Sequence, residues 1–257
     1  SYDFAGSSFS SKINFAEPLK GVKSFRFEVN ESIGGVVSCG EMEFYRNAAP
    51  VAGLTEVFAD ELYSELRADV DQRKIDGLEN SFFRMIAQSL YDKTYDLEYR
   101  VQTYEPYREI NDLAAEMKTS GYNPFENPTG IYFKDGEEAV VIVGNTNGER
   151  VSLKVYDFDA IRQGQRTPDP TSYPLNEGIN KLRIAHGGLS YIEYYTPNWK
   201  TAPALKLHIA SGKVNGYYDK HRDVSADWRE ILNKATYGCI DIKGDRVNLV
   251  FGVNSIK

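Results

Sequence analysis

From Gly130 onward the chain is cut into short apolar runs by strong turn signals, and that pattern leaves few folds open. The runs are Ala139–Val143, Val151–Tyr156, Lys181–Ala185, Leu189–Tyr195, Ala204–Ile209 and Arg246–Phe251; between them stand Asn145–Thr–Asn–Gly148, Asn176–Glu–Gly178 and Gly187–Gly188, with Asp135–Gly136 ahead of the first. Many short strands with such punctuation predict an antiparallel β-sandwich. Leu205, Leu207 and Ile209 alternate with Lys206 and His208, which describes a strand with one buried face ending at a Ser211–Gly212 turn. On that reading His208 lies on the polar face, as a structural or surface residue rather than a ligand. The Pro-rich segment Thr167–Pro174 reads as an exposed loop.

Two other zones have different periods. Phe25, Phe27 and Val29 alternate with Arg26 and Glu28 before Gly34–Gly35, and Val36–Phe44 returns, so a β-hairpin is expected within residues 1–46. Between 54 and 121 the period moves toward 3.6. Phe58, Leu62 and Leu66 predict an amphipathic helix capped at Thr55. A second helix is expected over 79–93 with Phe82, Phe83, Ile86 and Leu90 inward, and a third over 105–118. A short helix at about 225–235 buries Trp228, Ile231 and Leu232. The expected class is α+β, mainly β: an N-terminal hairpin, a helical lead-in over 54–121, a sandwich over 122–220, and a helix plus strand over 221–257.

The 257 residues are 41% hydrophobic and 13% aromatic, enough for a substantial core, and a net charge of −7 argues against a phosphate backbone as partner. No nucleic-acid role is expected. No apolar run approaches the ~20 residues of a membrane-spanning helix. Cys39 and Cys239 are too few and too far apart for a disulfide framework and are read as buried free thiols. The chain opens on Ser1 rather than methionine, so a piece of a longer polypeptide is expected, with any export signal on the missing part.

A catalytic reading needs a nucleophile, a metal or an acid/base pair. Only His186, His208 and His221 are present, and none falls in H-E-x-x-H. Asp219, His221 and Asp223 are ligand types, but three alternating residues after a strand read as a solvated edge. Asp69, Asp71 and Asp76–Gly77 faintly follow a calcium loop, yet Arg73 occupies a ligand position and Asn80 stands where the bidentate glutamate belongs. No G-x-S-x-G elbow, P-loop or dinucleotide fingerprint occurs. No catalytic and no metal residue is assigned.

Aromatic residues remain. Tyr191, Tyr194, Tyr195 and Trp199 fall within nine positions. Such rings offer a flat apolar face and a polar tip, suited to the C–H face of a sugar or to a protein partner. These four are the candidate glycan- or partner-binding residues. The competing reading packs most of the tyrosines in the core, with Trp199 in a loop marked by Pro197 and Pro203.

In order along the chain, Asn127–Pro–Thr–Gly–Ile131, Gly136–Glu137, Tyr173–Pro–Leu–Asn–Glu–Gly–Ile–Asn180, Gly188–Leu–Ser–Tyr–Ile192, Pro203–Ala–Leu–Lys–Leu–His–Ile209 and Gly212–Lys–Val–Asn–Gly–Tyr–Tyr–Asp219 resemble the enhancin-like zinc metallopeptidases, specifically the β-sandwich region preceding their catalytic domain. Residues 9–46, ending in Val37–Ser–Cys–Gly–Glu–Met–Glu–Phe–Tyr45, resemble the closing strands of a discoidin-like coagulation-factor type C domain. The resemblance implies a secreted or cell-surface bacterial protease acting on mucin-type glycoproteins, with zinc in a catalytic domain absent from this chain. Since the chain has no H-E-x-x-H, no catalytic residue carries over. The expected role is a non-catalytic region that supports the peptidase or docks its glycoprotein substrate. The alternative is a self-sufficient carbohydrate-binding or adhesion module of a bacterial surface protein.

Overall fold

A computed structural model describes residues 22–30, 51–120, 125–164, 170–245 and 247–256. The chain divides into two units, 1–51 and 52–257. In the first, residues 22–30 are exposed and lie in neither helix nor strand, and the return arm of the expected hairpin falls outside the described residues.

The second unit begins with a helical lead-in: α1 (Leu54–Val57), α2 (Gln72–Asp76), α3 (Ser81–Tyr91) and α4 (Leu97–Arg100). The long helix expected from Thr55 is not formed. After one turn the Asp60 carboxylate accepts the backbone N–H groups of Ser64 and Glu65, at 2.8 and 2.9 Å, and the Ser64 hydroxyl at 2.6 Å. Tyr63 then takes a positive φ of 54°. A short acidic side chain that captures nearby backbone donors competes directly with helix propagation. Phe58 and Leu62 are still buried, in a loop rather than on a helix face. By contrast α3 forms as expected, because the Asn80 side chain caps Phe82 and Phe83 and the Phe83–Ile86 stripe is buried.

Next come β1 (Val101–Tyr104), α5 (Ile110–Glu116), β2 (Pro128–Phe133), β3 (Glu138–Val143), β4 (Val151–Tyr156), α6 (Phe158–Arg162), β5 (Thr171–Leu175), β6 (Gly178–Arg183), β7 (Gly188–Glu193), β8 (Leu205–Ile209) and β9 (Lys213–Val214). They make two antiparallel sheets, ordered β1-β8-β3-β6 and β5-β4-β7-β2-β9. β1 lies in the zone expected to be helical, where it edges the first sheet against β8. β5 occupies part of the expected Pro-rich loop. Pro174 is tolerated there because β5 is an edge strand, where a missing N–H costs no ladder bond.

Alternate residues of both sheets share one core. Val141, Val143, Leu205, Leu207 and Ile209 come from the four-stranded sheet, and Ile131, Phe133, Val151, Leu153, Val155 and Ile192 from the five-stranded sheet. This is the sandwich. Its outer faces are covered as well. On the four-stranded sheet Ile142 and His208 sit opposite each other, both fully buried, with Tyr95 and the Leu62 carbonyl of the lead-in bonded to the imidazole. The polar-face placement of His208 is therefore corrected, since the lead-in turns that face into interior.

The chain closes with β10 (Tyr218–Asp219), α7 (Trp228–Lys234), β11 (Cys239–Lys243), β12 (Asn248–Gly252) and α8 (Val253–Ile256). β11 pairs with β12 antiparallel and with β10 parallel, the one parallel pairing among the described strands. Residues of this layer, Cys239, Tyr237 and Val250, pack with Leu189, Tyr191 and Tyr132 on the outer face of the five-stranded sheet. Cys239 is a buried free thiol, and burial pushes its pKa up to about 11; Cys39 lies outside the described residues.

Candidate functional site

The connection from β7 to β8 carries the aromatic cluster, and its backbone bonding decides which rings reach solvent. Tyr195 forms a parallel bridge with Tyr107, the Tyr107 N–H donating to the Tyr194 carbonyl at 2.8 Å and the Thr196 N–H to the Tyr107 carbonyl at 3.0 Å. The next residues wind into turns: the N–H groups of Thr201 and Ala202 donate to the Asn198 carbonyl at 2.8 and 2.9 Å, and that of Trp199 to the Thr196 carbonyl at 3.2 Å. The Tyr194 hydroxyl donates to the Pro203 carbonyl at 2.8 Å, tying the start of the loop to its end. A loop so braced holds Trp199 outward.

The four sequence candidates separate. Trp199 is 38% exposed, whereas Tyr191 and Tyr194 are each 1% exposed. Tyr194 belongs to the sandwich core, and Tyr191 lies beneath the C-terminal layer with its hydroxyl on Asp241. Neither presents a ring face to a ligand. Tyr195 is half-buried, its hydroxyl donating to Glu126 Oε2 at 2.6 Å.

Around Trp199 an open groove of about 540 Å³ is lined by Arg108, Glu116, Pro197, Asn198, Lys200 and Thr201. Lys200 Nζ stands 5.4 Å from the centroid of the Trp199 ring, a cation–π contact. Arg108 is ion-paired with Glu116. The adjacent Lys200 was legible as a neighbour in sequence. Arg108 and Glu116 reach the groove only through the Tyr107–Tyr195 bridge, for which no local signal exists.

The other residues with ligand chemistry are engaged elsewhere. Asp223 is held by Arg222 at 2.8 Å, and that pairing lowers its pKa against the opposing effect of burial. Asp219 lies 3.8 Å from Lys243, and His221 Nε2 is 2.9 Å from Asp245. The Arg222 guanidinium packs against both the Tyr99 and the Tyr217 ring, 5.2 and 4.7 Å from their centroids. Among the described residues no group of three or more His, Cys, Asp or Glu could hold a metal ion. The His208 imidazole is neutral in this environment, since burial pushes its pKa down to about 4.

Residues 98–209 match the N-terminal domain of M60-like peptidases. No curated protein sequence matches the chain. Among solved structures, a metallopeptidase from Bacteroides thetaiotaomicron is similar at 30% identity and a TM-score of 0.70, over 85% of this chain and 38% of its own. A metallopeptidase in complex with Tn antigen is 31% identical, with a TM-score of 0.56 over 64% of this chain and 31% of its own. A Clostridium perfringens structure with CBM32-1, CBM32-2 and M60 catalytic domains shares the fold at 15% identity and a TM-score of 0.57, covering 79% of this chain and 24% of its own. The chain thus spans well under half the length of each. Residues 98–209 are an N-terminal domain of the M60-like, or enhancin-like, metallopeptidase family.

Proposed function

We propose that this chain is the non-catalytic N-terminal region of a secreted or surface M60-like metallopeptidase acting on mucin-type glycoproteins, and that its Trp199 groove docks glycan of the substrate. Zinc would belong to a catalytic portion outside this chain. The observation that carries the reading is the exposed Trp199 ring, held outward by a hydrogen-bonded loop beside polar Asn198 and Thr201. A ring face set among hydrogen-bonding groups fits a sugar, which offers a C–H face and hydroxyls together. The family match and the similar metallopeptidase bound to Tn antigen support a glycoprotein as the partner.

The test is calorimetric titration of the chain with an O-GalNAc glycopeptide and with a mucin-type glycoprotein. Measurable binding that Trp199→Ala removes is the expected result; no binding, or binding unchanged in the variant, overturns the docking role. Incubation of the glycoprotein with the chain and zinc should leave it intact, and cleavage would overturn the non-catalytic assignment.

A second reading, a self-sufficient carbohydrate-binding or adhesion module, is favoured by one feature. The residues lining the groove, Arg108, Glu116 and Pro197–Thr201, all belong to the unit that carries the sandwich. An in-frame H-E-x-x-H downstream in the gene favours the peptidase region, and a stop codon without it favours the module.

A further inference from the structure

The charges lining the groove are not balanced. Lys200 is exposed, and its ammonium lies over the Trp199 ring, the surface a sugar would stack on. Among the described residues it forms no ion pair, whereas Arg108 in the same groove is neutralised by Glu116. The lining therefore holds two cations and one carboxylate, with the surplus charge at Lys200. The chain as a whole carries −7, so its overall field does not draw anions to this face. Any attraction for one must be local.

We infer that the Trp199 groove selects an anionic saccharide, one whose sugar bears a carboxylate or a sulfate ester, over its neutral counterpart. This rests on the docking role proposed above and narrows its ligand. A neutral sugar stacking on that face must displace the Lys200 ammonium from the ring and gives it nothing in return. An anionic sugar draws the ammonium off the ring into a charge-assisted hydrogen bond and leaves the indole face open for its C–H groups. The same side chain is a gate for one ligand and a partner for the other.

The test compares three ligands of matched size: a sialylated galactoside, a sulfated galactoside and the unsubstituted neutral sugar. Each is titrated into wild type, Lys200→Ala and Trp199→Ala, with thermal melting to show that the exposed substitutions leave the fold intact. The expected result is an affinity about fivefold higher for at least one anionic sugar, with the difference falling away between about 50 and 500 mM salt. Whichever anionic sugar binds names the source of the charge. In Lys200→Ala the preference should vanish while the neutral sugar binds as well as or better than to wild type, because the ring is uncovered. Trp199→Ala should weaken all three.

Equal wild-type affinities that Trp199→Ala still lowers would overturn the charge preference and leave the docking role standing. A Lys200→Ala protein that retains the preference would also overturn it. No binding of any of the three sugars would overturn both.

Discussion

The hydroxyl of Tyr191 donates to the carboxylate of Asp241 at 2.8 Å, joining the outer face of the sandwich to the C-terminal layer through a group with no access to water. Asn248 donates to the same oxygen at 3.2 Å, but desolvation outweighs both bonds and raises the Asp241 pKa from 3.8 to about 7. His208, under the opposite sheet, is displaced the other way, from 6.5 to about 4. Its tautomer follows from its partners. The Leu62 carbonyl can only accept, so Nδ1 carries the proton and Nε2 accepts from the Tyr95 hydroxyl.

These two groups give opposite slopes of stability against pH. Asp241 stays protonated in the native state while the unfolded chain ionises, so its contribution is full below about pH 4 and is lost as pH rises to about 7. His208 stays neutral while the unfolded chain takes up a proton, so its contribution is full above pH 6.5 and is lost as pH falls toward about 4. Each slope approaches about 1.4 kcal/mol per pH unit, and they offset between about 4 and 6.5. Asp241→Asn keeps an oxygen for Tyr191 and removes the falling slope. Urea denaturation of this variant should show stability climbing from about pH 4.5 to 6.5 more steeply than wild type, with the variant a few kcal/mol better off relative to wild type at pH 8 than at pH 4.5. A difference from wild type that does not change with pH would refute the buried protonated carboxyl.

How much of this was readable beforehand depends on where the deciding contact lies. β4 and α3 are legible because their own residues settle them: alternation over Val151–Tyr156, and Asn80 ahead of Phe83 and Ile86. The lead-in helix failed at Asp60, where a local side-chain bond outcompeted a correct hydrophobic pattern. Tyr191 and His208 were open to misreading for a different reason. Alternation reports that a strand has two faces, and it cannot tell that separate segments, the C-terminal layer and the lead-in, bury the second face of each sheet. Trp199 was legible because the prolines on either side exclude a central strand. Its groove partner Arg108 lies 91 positions earlier and could be placed only by the fold.

Lys154 and Glu193 form an ion pair at 2.6 Å with side chains only 7% and 19% exposed, on the outer face of β4 and β7. The Lys154 ammonium also stands 5.6 Å from the Phe125 ring centroid. Removing one partner of so enclosed a pair strands the other charge away from water. Lys154→Met should cost about 3 kcal/mol in urea denaturation, while Lys154→Met with Glu193→Leu should recover most of it. If the double variant is as unstable as the single, the loss lies in the contact of the ammonium with the Phe125 ring rather than in an orphaned carboxylate.

Gly188 enters β7 with a φ of +150°, and a β-carbon built there would be driven into the Tyr156 carbonyl and the Asp157 nitrogen. Both objections are backbone ones, so no rotamer change relieves them, and β4 and β7 are neighbours at the centre of the five-stranded sheet. Gly164 supplies the comparison, with a φ of +71° and nothing within 4 Å of the same added carbon. Gly164→Ala carries only the conformational penalty, about 1 kcal/mol. Gly188→Ala must also push two paired strands apart, and should cost more than about 3 kcal/mol or fail to give soluble protein at all. Thermal melting of the two variants side by side measures the difference. Equal melting temperatures would mean that the chain can shift Tyr156 without loss, and that the close approach of β4 to Gly188 is not what holds these two strands in register.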